Sequence, residues 1–135
     1  MPTGRCVLAN ILIVDDDDRV RRQLRRLIEM ERDLVVCCEA ATGKEAVEKH
    51  SREAHVTLMD FNMPGMDGLK TSRLILSKCP DASILMVTVF WSAQLCDEAQ
   101  KAGLKGVCSK SESERIIEGI QTLLRGETFF PVHIH

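Results

Sequence analysis

The sequence predicts an α/β fold built on a five-stranded parallel sheet, and three observations carry that prediction. Short apolar runs recur at 11–14, 34–38, 56–59, 84–87 and 107–108, near-continuous as strands covered on both faces must be. A segment of helical character follows each, the alternation that βαβ units produce. No internal boundary or low-complexity tract interrupts the 135 residues, a length that buries one good core but not two.

Composition narrows the classes. A hydrophobic content of 44% with 28% charged residues is that of a water-soluble globular chain. The formal net charge of −2 gives no reason to expect direct contact with nucleic acid. Residues 1–9 lack the basic-then-apolar pattern of a signal segment, and no run approaches the ~18 apolar residues of a membrane span. The six cysteines, Cys6, Cys37, Cys38, Cys79, Cys96 and Cys108, form no C-x-x-C pair and read as small hydrophobes in a reducing compartment. A cytoplasmic location without membrane contact is therefore expected.

Taken in order, the helices have readable ends and faces. After the run at 11–14, Val20, Leu24, Leu27 and Ile28 fall at i, i+4, i+7 and i+8, one buried stripe. Arg19, Arg21, Arg22, Arg25 and Arg26 fill the rest, read as a solvated basic face in preference to a docking surface. Asp17 and Asp18 suit the positive end of that helix. Thr42 with Glu45, and Ser111 with Glu114, have capping-box spacing and are expected to start the second and fifth helices. Asp67 starts the third, and Ser92 caps the fourth, which closes at Gly103. The fourth helix has a candidate inner face of Ala93, Cys96, Ala99 and Ala102, whereas the fifth offers Ile116, Ile117, Ile120, Leu123 and Leu124. At about 25 cal/mol per Å² the fourth is expected to be held more weakly, and to be the element that moves.

Beyond Arg125 and Gly126, two adjacent phenylalanines and Pro131 are expected either to pack back or to lead into a linker. His133 and His135 read as chain-end residues without a metal role. The organisation expected is an arm over 1–9, a domain over 10–126 and a tail or linker over 127–135.

The chemistry concentrates at strand ends. The first strand ends at Asp15 and Asp16, the third at Asp60, the fourth at Thr88 and the fifth at Lys110. Parallel strands joined by right-handed crossovers bring these ends to one edge. Each residue alone has an ordinary explanation as a turn former, a strand residue or a surface charge; four of the five strand ends carrying such groups together do not. Three carboxylates near 4 Å repel by ~4 kcal/mol per pair at an effective dielectric near 20, so the cluster calls for a cation. Oxygen donors without Cys or His favour a hard ion held as Mg²⁺ is. An Asp carboxylate is also a nucleophile toward phosphorus, with Lys110 and Thr88 suited to the phosphoryl oxygens. The inventory fits phosphoryl transfer onto Asp60.

The run Met59-Asp60-Phe61-Asn62-Met63-Pro64-Gly65-Met66-Asp67-Gly68, with Ile11-Leu12-Ile13-Val14-Asp15-Asp16, Val87-Thr88 and Ser109-Lys110, resembles a response-regulator receiver domain from about Asn10 to Arg125. Ala102-Gly103-Leu104-Lys105-Gly106 and Arg125-Gly126-Glu127-Thr128-Phe129 are similar to the NarL/FixJ-like (LuxR-type) subgroup, in which a helix-turn-helix DNA-binding domain usually follows. The resemblance implies a doubly wound, flavodoxin-like sheet of order 2-1-3-4-5. It also implies Asp60 as phosphoacceptor from a sensor histidine kinase or phosphotransfer protein. Mg²⁺, or Mn²⁺ in its place, would be held by Asp16, Asp60 and the backbone carbonyl of Asn62, with Asp15 acting through water. Thr88 and Lys110 would contact the phosphoryl group, and homodimerisation and regulation of transcription would follow. The domain would catalyse its own phosphorylation and dephosphorylation without being an enzyme for another substrate.

Departures from the family pattern are informative. Val107 stands where a swinging aromatic ring is common, Val89 where alanine often follows the switch threonine, and Ser111 where many receivers have proline. Val89 and the adjacent Phe90 are expected to control access to Asp60. The alternatives are weaker in the residues. A haloacid-dehalogenase-like phosphatase would need Asp-x-Asp-x-Thr/Val after the first strand; Asp15 and Asp17 match, but Asp18 and Arg19 follow. A pseudo-receiver interaction module would lack some of the acidic, hydroxyl and amine positions, and a flavin-binding domain would have phosphate-cradling loops where this chain has carboxylates.

Overall fold

The computed structural model describes residues 8–131. It contains β1 (Ala9–Val14), α1 (Asp18–Glu29), β2 (Leu34–Ala40), α2 (Gly43–Lys49), β3 (Val56–Asp60), α3 (Gly68–Lys78), β4 (Ile84–Thr88), α4 (Ala93–Ala102), β5 (Gly106–Ser109) and α5 (Ser113–Leu124). The strands pair in parallel in the order β2-β1-β3-β4-β5. Cys6, His133, His135 and residues 1–7 of the expected arm lie outside the described residues. No helix among those described is long and apolar enough to cross a membrane.

Strand alternation divides the core in two. Leu12, Val14, Met59, Ile84, Met86 and Val107 face α2, α3 and α4, meeting Ala46, Leu69, Ile75, Leu95 and Ala99. Ile11, Ile13, Leu58, Leu85, Val87 and Cys108 face α1 and α5, meeting Leu24, Ile28, Ile116, Ile120 and Leu123. Both faces of β1, β3, β4 and β5 are thereby covered, which is why those runs carry no polar alternation, whereas the outer strand β2 leaves Cys37 exposed. The order reverses at β1, so the crevice between the ends of β1 and β3 is the topological switch point at which such sheets bind ligands.

Most helix starts follow the expected chemistry. Asp17, Thr42, Asp67 and Ser92 each accept backbone N–H groups at the starts of α1, α2, α3 and α4, and α4 closes on left-handed Gly103 at φ +101°. Ser111 does not cap the fifth helix. The Ser111 hydroxyl pairs with that of Ser109 at 2.9 Å, and α5 begins two residues later, after Glu112, without a side-chain cap.

Two expected faces are also corrected. α4 buries Leu95, Cys96 and Ala99, with Ala93 exposed and Ala102 half-buried. Leu95 offers far more apolar area than Ala93, so the helix turns to bury it and is held more firmly than an all-alanine face would allow. On α1, Arg21 and Arg25 are not simply solvated. The Arg21 side chain is only 13% exposed; both residues pair with Glu39 of β2, at 3.1 and 2.6 Å.

Of the two expectations for the residues after Gly126, packing back describes them through Pro131. Phe129 N–H donates to Lys105 O (2.8 Å) and Phe129 O accepts from Val107 N–H (2.9 Å), a parallel bridge opposite Gly106 that covers part of the sheet's outer edge. The notch is made of missing side chains. A Cβ on Gly106 would lie 2.6 Å from Phe129 O, and one on Gly119 would lie 2.9 Å from Leu85 Cδ2 and 3.0 Å from the Phe129 ring. The Arg115 guanidinium sits 4.7 Å from the ring centroid, a cation–π contact that closes the notch.

Phe129→Ala is expected to destabilise the domain by about 1–3 kcal/mol, and Gly119→Ala by about 1–2 kcal/mol despite alanine's better helix propensity. In urea denaturation the double variant should lose less than the sum, because the added methyl then meets an emptied notch. Full additivity would contradict the packing described.

Candidate functional site

The site is built where three strands stop. Just beyond β1, Asp15 N–H donates to Ala40 O (3.1 Å), holding this residue in the sheet's frame and burying it to 1% exposure. Asp15 Oδ1 accepts from Asp17 N–H (2.9 Å), and Asp17 in turn caps α1, so the two flanking aspartates have separate tasks. Asp16 is left exposed between them.

Asp60 is the last residue of β3 and is 5% exposed. The chain then doubles back over it: Gly68 N–H donates to Phe61 O (2.7 Å), and a Cβ on Gly68 would fall 2.1 Å from Asp60 O. Glycine is required for that approach. The same loop turns at Gly65 with φ +83°, a conformation L side chains avoid. Beyond β5, Lys110 N–H donates to Thr88 O (3.0 Å), and the side chain reaches back across the edge.

Lys110 Nζ lies 2.6 Å from Asp15 Oδ2 and 3.0 Å from Asp60 Oδ1. One carboxylate oxygen from each of Asp15, Asp16 and Asp60 lies within 4.8 Å of the others. Burial, joined by the charges of Asp15 and Asp16, pushes the Asp60 carboxyl up from 3.8 to about 6 against the opposing pull of Lys110. Burial works against the Lys110 charge, but the bonds to Asp15 and Asp60 outweigh it and hold the amine above its usual range. One ammonium is thus shared by two buried carboxylates, with a third close by. Oxygen donors alone, two of them buried and uncompensated by a second cation, form a donor set that fits Mg²⁺.

These groups line a cleft of about 210 Å³ with Asp17, Val20, Asn62, Val89 and Phe90. That is below the ~300 Å³ at which organic-ligand pockets begin, a size for an ion or a phosphoryl group. A larger cleft of about 520 Å³ lies beside β5 against Pro131 and is lined by Val107, Ser109, Glu112 and Arg115; it holds none of the clustered aspartates. Val89 and Phe90 are 62% and 57% exposed, forming the apolar rim of the small cleft.

The sequence-predicted residues separate into two groups. Asp15, Asp16, Asp60 and Lys110 converge, with Asn62, Val89 and Phe90 around them. Thr88 stands apart: although buried, its hydroxyl accepts the Phe90 N–H (2.9 Å) and it does not line the cleft. Val107 is fully buried in the core. Sequence reasoning missed Arg21, which donates to the Asp15 carbonyl and to Asp18 while paired with Glu39. A lone glutamate at the end of an otherwise apolar strand run was the available signal.

Comparison with known proteins gives the family. Residues 11–121 match the response regulator receiver domain family. The chain is 34% identical over 126 residues to the transcriptional regulatory protein LnrK of Bacillus subtilis, covering 92% of this chain and 57% of that protein. It is 32% identical over 124 residues to the response regulator UvrY of Escherichia coli, covering 90% and 57%. The chain thus spans a little over half the length of these curated relatives. A crystal structure of a LuxR-family two-component response regulator from Aurantimonas superposes with a TM-score of 0.87 at 31% identity, covering 90% of this chain and 89% of that one.

The raised Asp60 carboxyl has a stability consequence with a definite sign. In the unfolded chain it ionises near 3.8, in the native state near 6, so the native state binds the extra proton between these values and stability falls as pH rises through that window. Asp60→Asn has no such loss. In chelator-treated buffer its stability should exceed that of the wild type by about 1–2 kcal/mol at pH 7, a figure discounted for solvent at the cleft mouth, and by little at pH 4. Urea midpoints showing the variant equal or weaker at pH 7 would contradict the assignment.

Proposed function

Because the chain belongs to the response regulator receiver domain family, whose members are signalling proteins of two-component systems, we propose that it is a phosphorylation-activated switch whose phosphoacceptor is Asp60. The observation that supports this most is the Lys110 ammonium bonded to both Asp15 and Asp60, beside three clustered carboxylates. A carboxylate oxygen of Asp60 forms a bond to phosphorus as the P–N bond of a phosphohistidine breaks, and the departing imidazole takes up a proton. The donor is a sensor histidine kinase or a phosphotransfer protein. Asp16, Asp60 and the Asn62 carbonyl would hold Mg²⁺, or Mn²⁺ in its place, with Asp15 acting through water. When bound, that ion supplies charge neutralisation for the phosphoryl oxygens.

The protein's own residues do the rest. Lys110 leaves the two carboxylates for a phosphoryl oxygen, keeping its charge compensated throughout. The Thr88 hydroxyl releases the Phe90 N–H and donates to another phosphoryl oxygen. That exchange alters the start of the β4–α4 connection, so roughly −1.5 to −2 of added charge becomes a change in backbone bonding. Homodimerisation on phosphorylation and control of transcription through a following helix-turn-helix domain complete the proposal. Residues 10–126 then form the receiver unit and 127–131 its docked exit, without direct DNA contact by this domain.

Incubation with a small acyl-phosphate donor and Mg²⁺ should add one phosphoryl mass to the wild type and none to Asp60→Asn, with Lys110→Ala slowed about ten-fold or more. An adduct on Asp60→Asn, or none on a wild type that also fails to bind beryllofluoride, would contradict the proposal. Val89→Ala combined with Phe90→Glu should speed loss of the phosphoryl group roughly three- to ten-fold by opening the rim to water; an unchanged decay rate would show that the rim does not shield it.

A further inference from the structure

Consecutive residues of a strand ordinarily point to opposite faces, yet Cys37 and Cys38 of β2 do not keep their sulfurs apart. Ile11 pairs with Val36, and the next residue, Leu12, pairs with Cys38, which leaves Cys37 as the extra residue of a bulge. Bulges re-aim side chains, and here the two Sγ atoms lie 3.8 Å from one another. Cys37 Sγ also donates to the Ile11 carbonyl at 3.5 Å, which ties the bulged thiol to the neighbouring strand. The pair sits on the outer strand of the sheet, with Cys37 exposed and Cys38 half-buried, whereas Cys96 and Cys108 are buried.

We propose that Cys37 and Cys38 form a two-thiol binding site for trivalent arsenicals, a thiophilic class that bonds two neighbouring sulfurs at once. The site is too sparse for a tetrahedral metal. Zinc takes four ligands, and among the described residues the acidic cluster at Asp15, Asp16 and Asp60 is the sole group of three or more candidate donors. Burial, with Cys37 beside it, pushes the Cys38 thiol up to about 11, so its proton stays on at neutral pH and metal ions that need thiolate are disfavoured. An arsenical removes that proton as part of the reaction. With a monosubstituted arsenical dihydroxide, two As–S bonds form, two As–O bonds break, and each thiol proton leaves with a hydroxide as water. Arsenic remains trivalent and no oxidant is consumed. A disulfide, by contrast, would need the sulfurs to close to about 2.0 Å and an oxidant to accept two electrons.

The test is a titration of the phosphine-reduced, desalted protein with phenylarsine oxide under native conditions, followed by intact mass and free-thiol count. One arsenical per chain is expected, with the loss of two free thiols and reversal by a small dithiol. Cys37→Ser and Cys38→Ser should each weaken binding about a hundred-fold by removing the second, intramolecular bond, with unchanged circular dichroism. Cys6→Ser and Cys79→Ser should bind as the wild type does. Retention of the adduct in both of the first two variants, or reaction of the urea-unfolded chain alone, would overturn the proposal.

Discussion

One ammonium shared between two buried carboxylates is the interaction on which the rest of the site depends. Lys110 lies 2.6 Å from Asp15 and 3.0 Å from Asp60, and without it two acidic groups that are 1% and 5% exposed would face each other with Asp16 as a third. Such an arrangement is tolerated only when counter-charge is supplied. The three residues come from the ends of three different strands, so the parallel sheet, and in particular its reversal of order at β1, is what makes the cluster. The compensation is incomplete, as the raised Asp60 carboxyl shows. Three carboxylates and one amine leave net negative charge at the site, the condition that a further cation would relieve.

The supports around the cluster are backbone devices more than side-chain ones. Gly68 lets the start of α3 press on the end of β3, and Asp17 both caps α1 and donates its N–H to Asp15. Arg21 holds the Asp15 carbonyl and is itself held by Glu39, a second tie between β2 and Asp15 beside the backbone bond from Asp15 N–H to Ala40 O. At the opposite edge of the sheet, Phe129 pairs with the strand that leads to Lys110. Two backbone hydrogen bonds thus join Phe129 directly to the segment that leads to the site's ammonium.

Much of this was legible in the residues. Five apolar runs gave the strands, and the positions of Asp15, Asp16, Asp60 and Lys110 at their ends gave the cluster, because parallel topology leaves little freedom in where strand ends go. Caps at Asp17, Thr42, Asp67 and Ser92 were equally readable, since each rests on a local bond. What could not be read depended on competition between neighbours. Ser111 has capping-box spacing but bonds Ser109 instead; Leu95 wins the inner face of α4 from Ala93; and Arg21 of α1 turns inward to Glu39 of β2. The bulge that brings Cys37 and Cys38 together is a matter of register, which the pattern of apolar residues alone does not specify at a single position.

The most direct measurement is chemical location of the acceptor. After treatment with a phosphodonor and Mg²⁺, borohydride reduces an acyl phosphate to the alcohol, so a phosphorylated aspartate is read as homoserine in peptide mass spectra. Homoserine at position 60 and at no other aspartate is the expected result, with unmodified Asp15 and Asp16. Homoserine at 15 or 16, or its absence at 60 while phosphate is retained on a histidine or serine, would contradict the role assigned to Asp60.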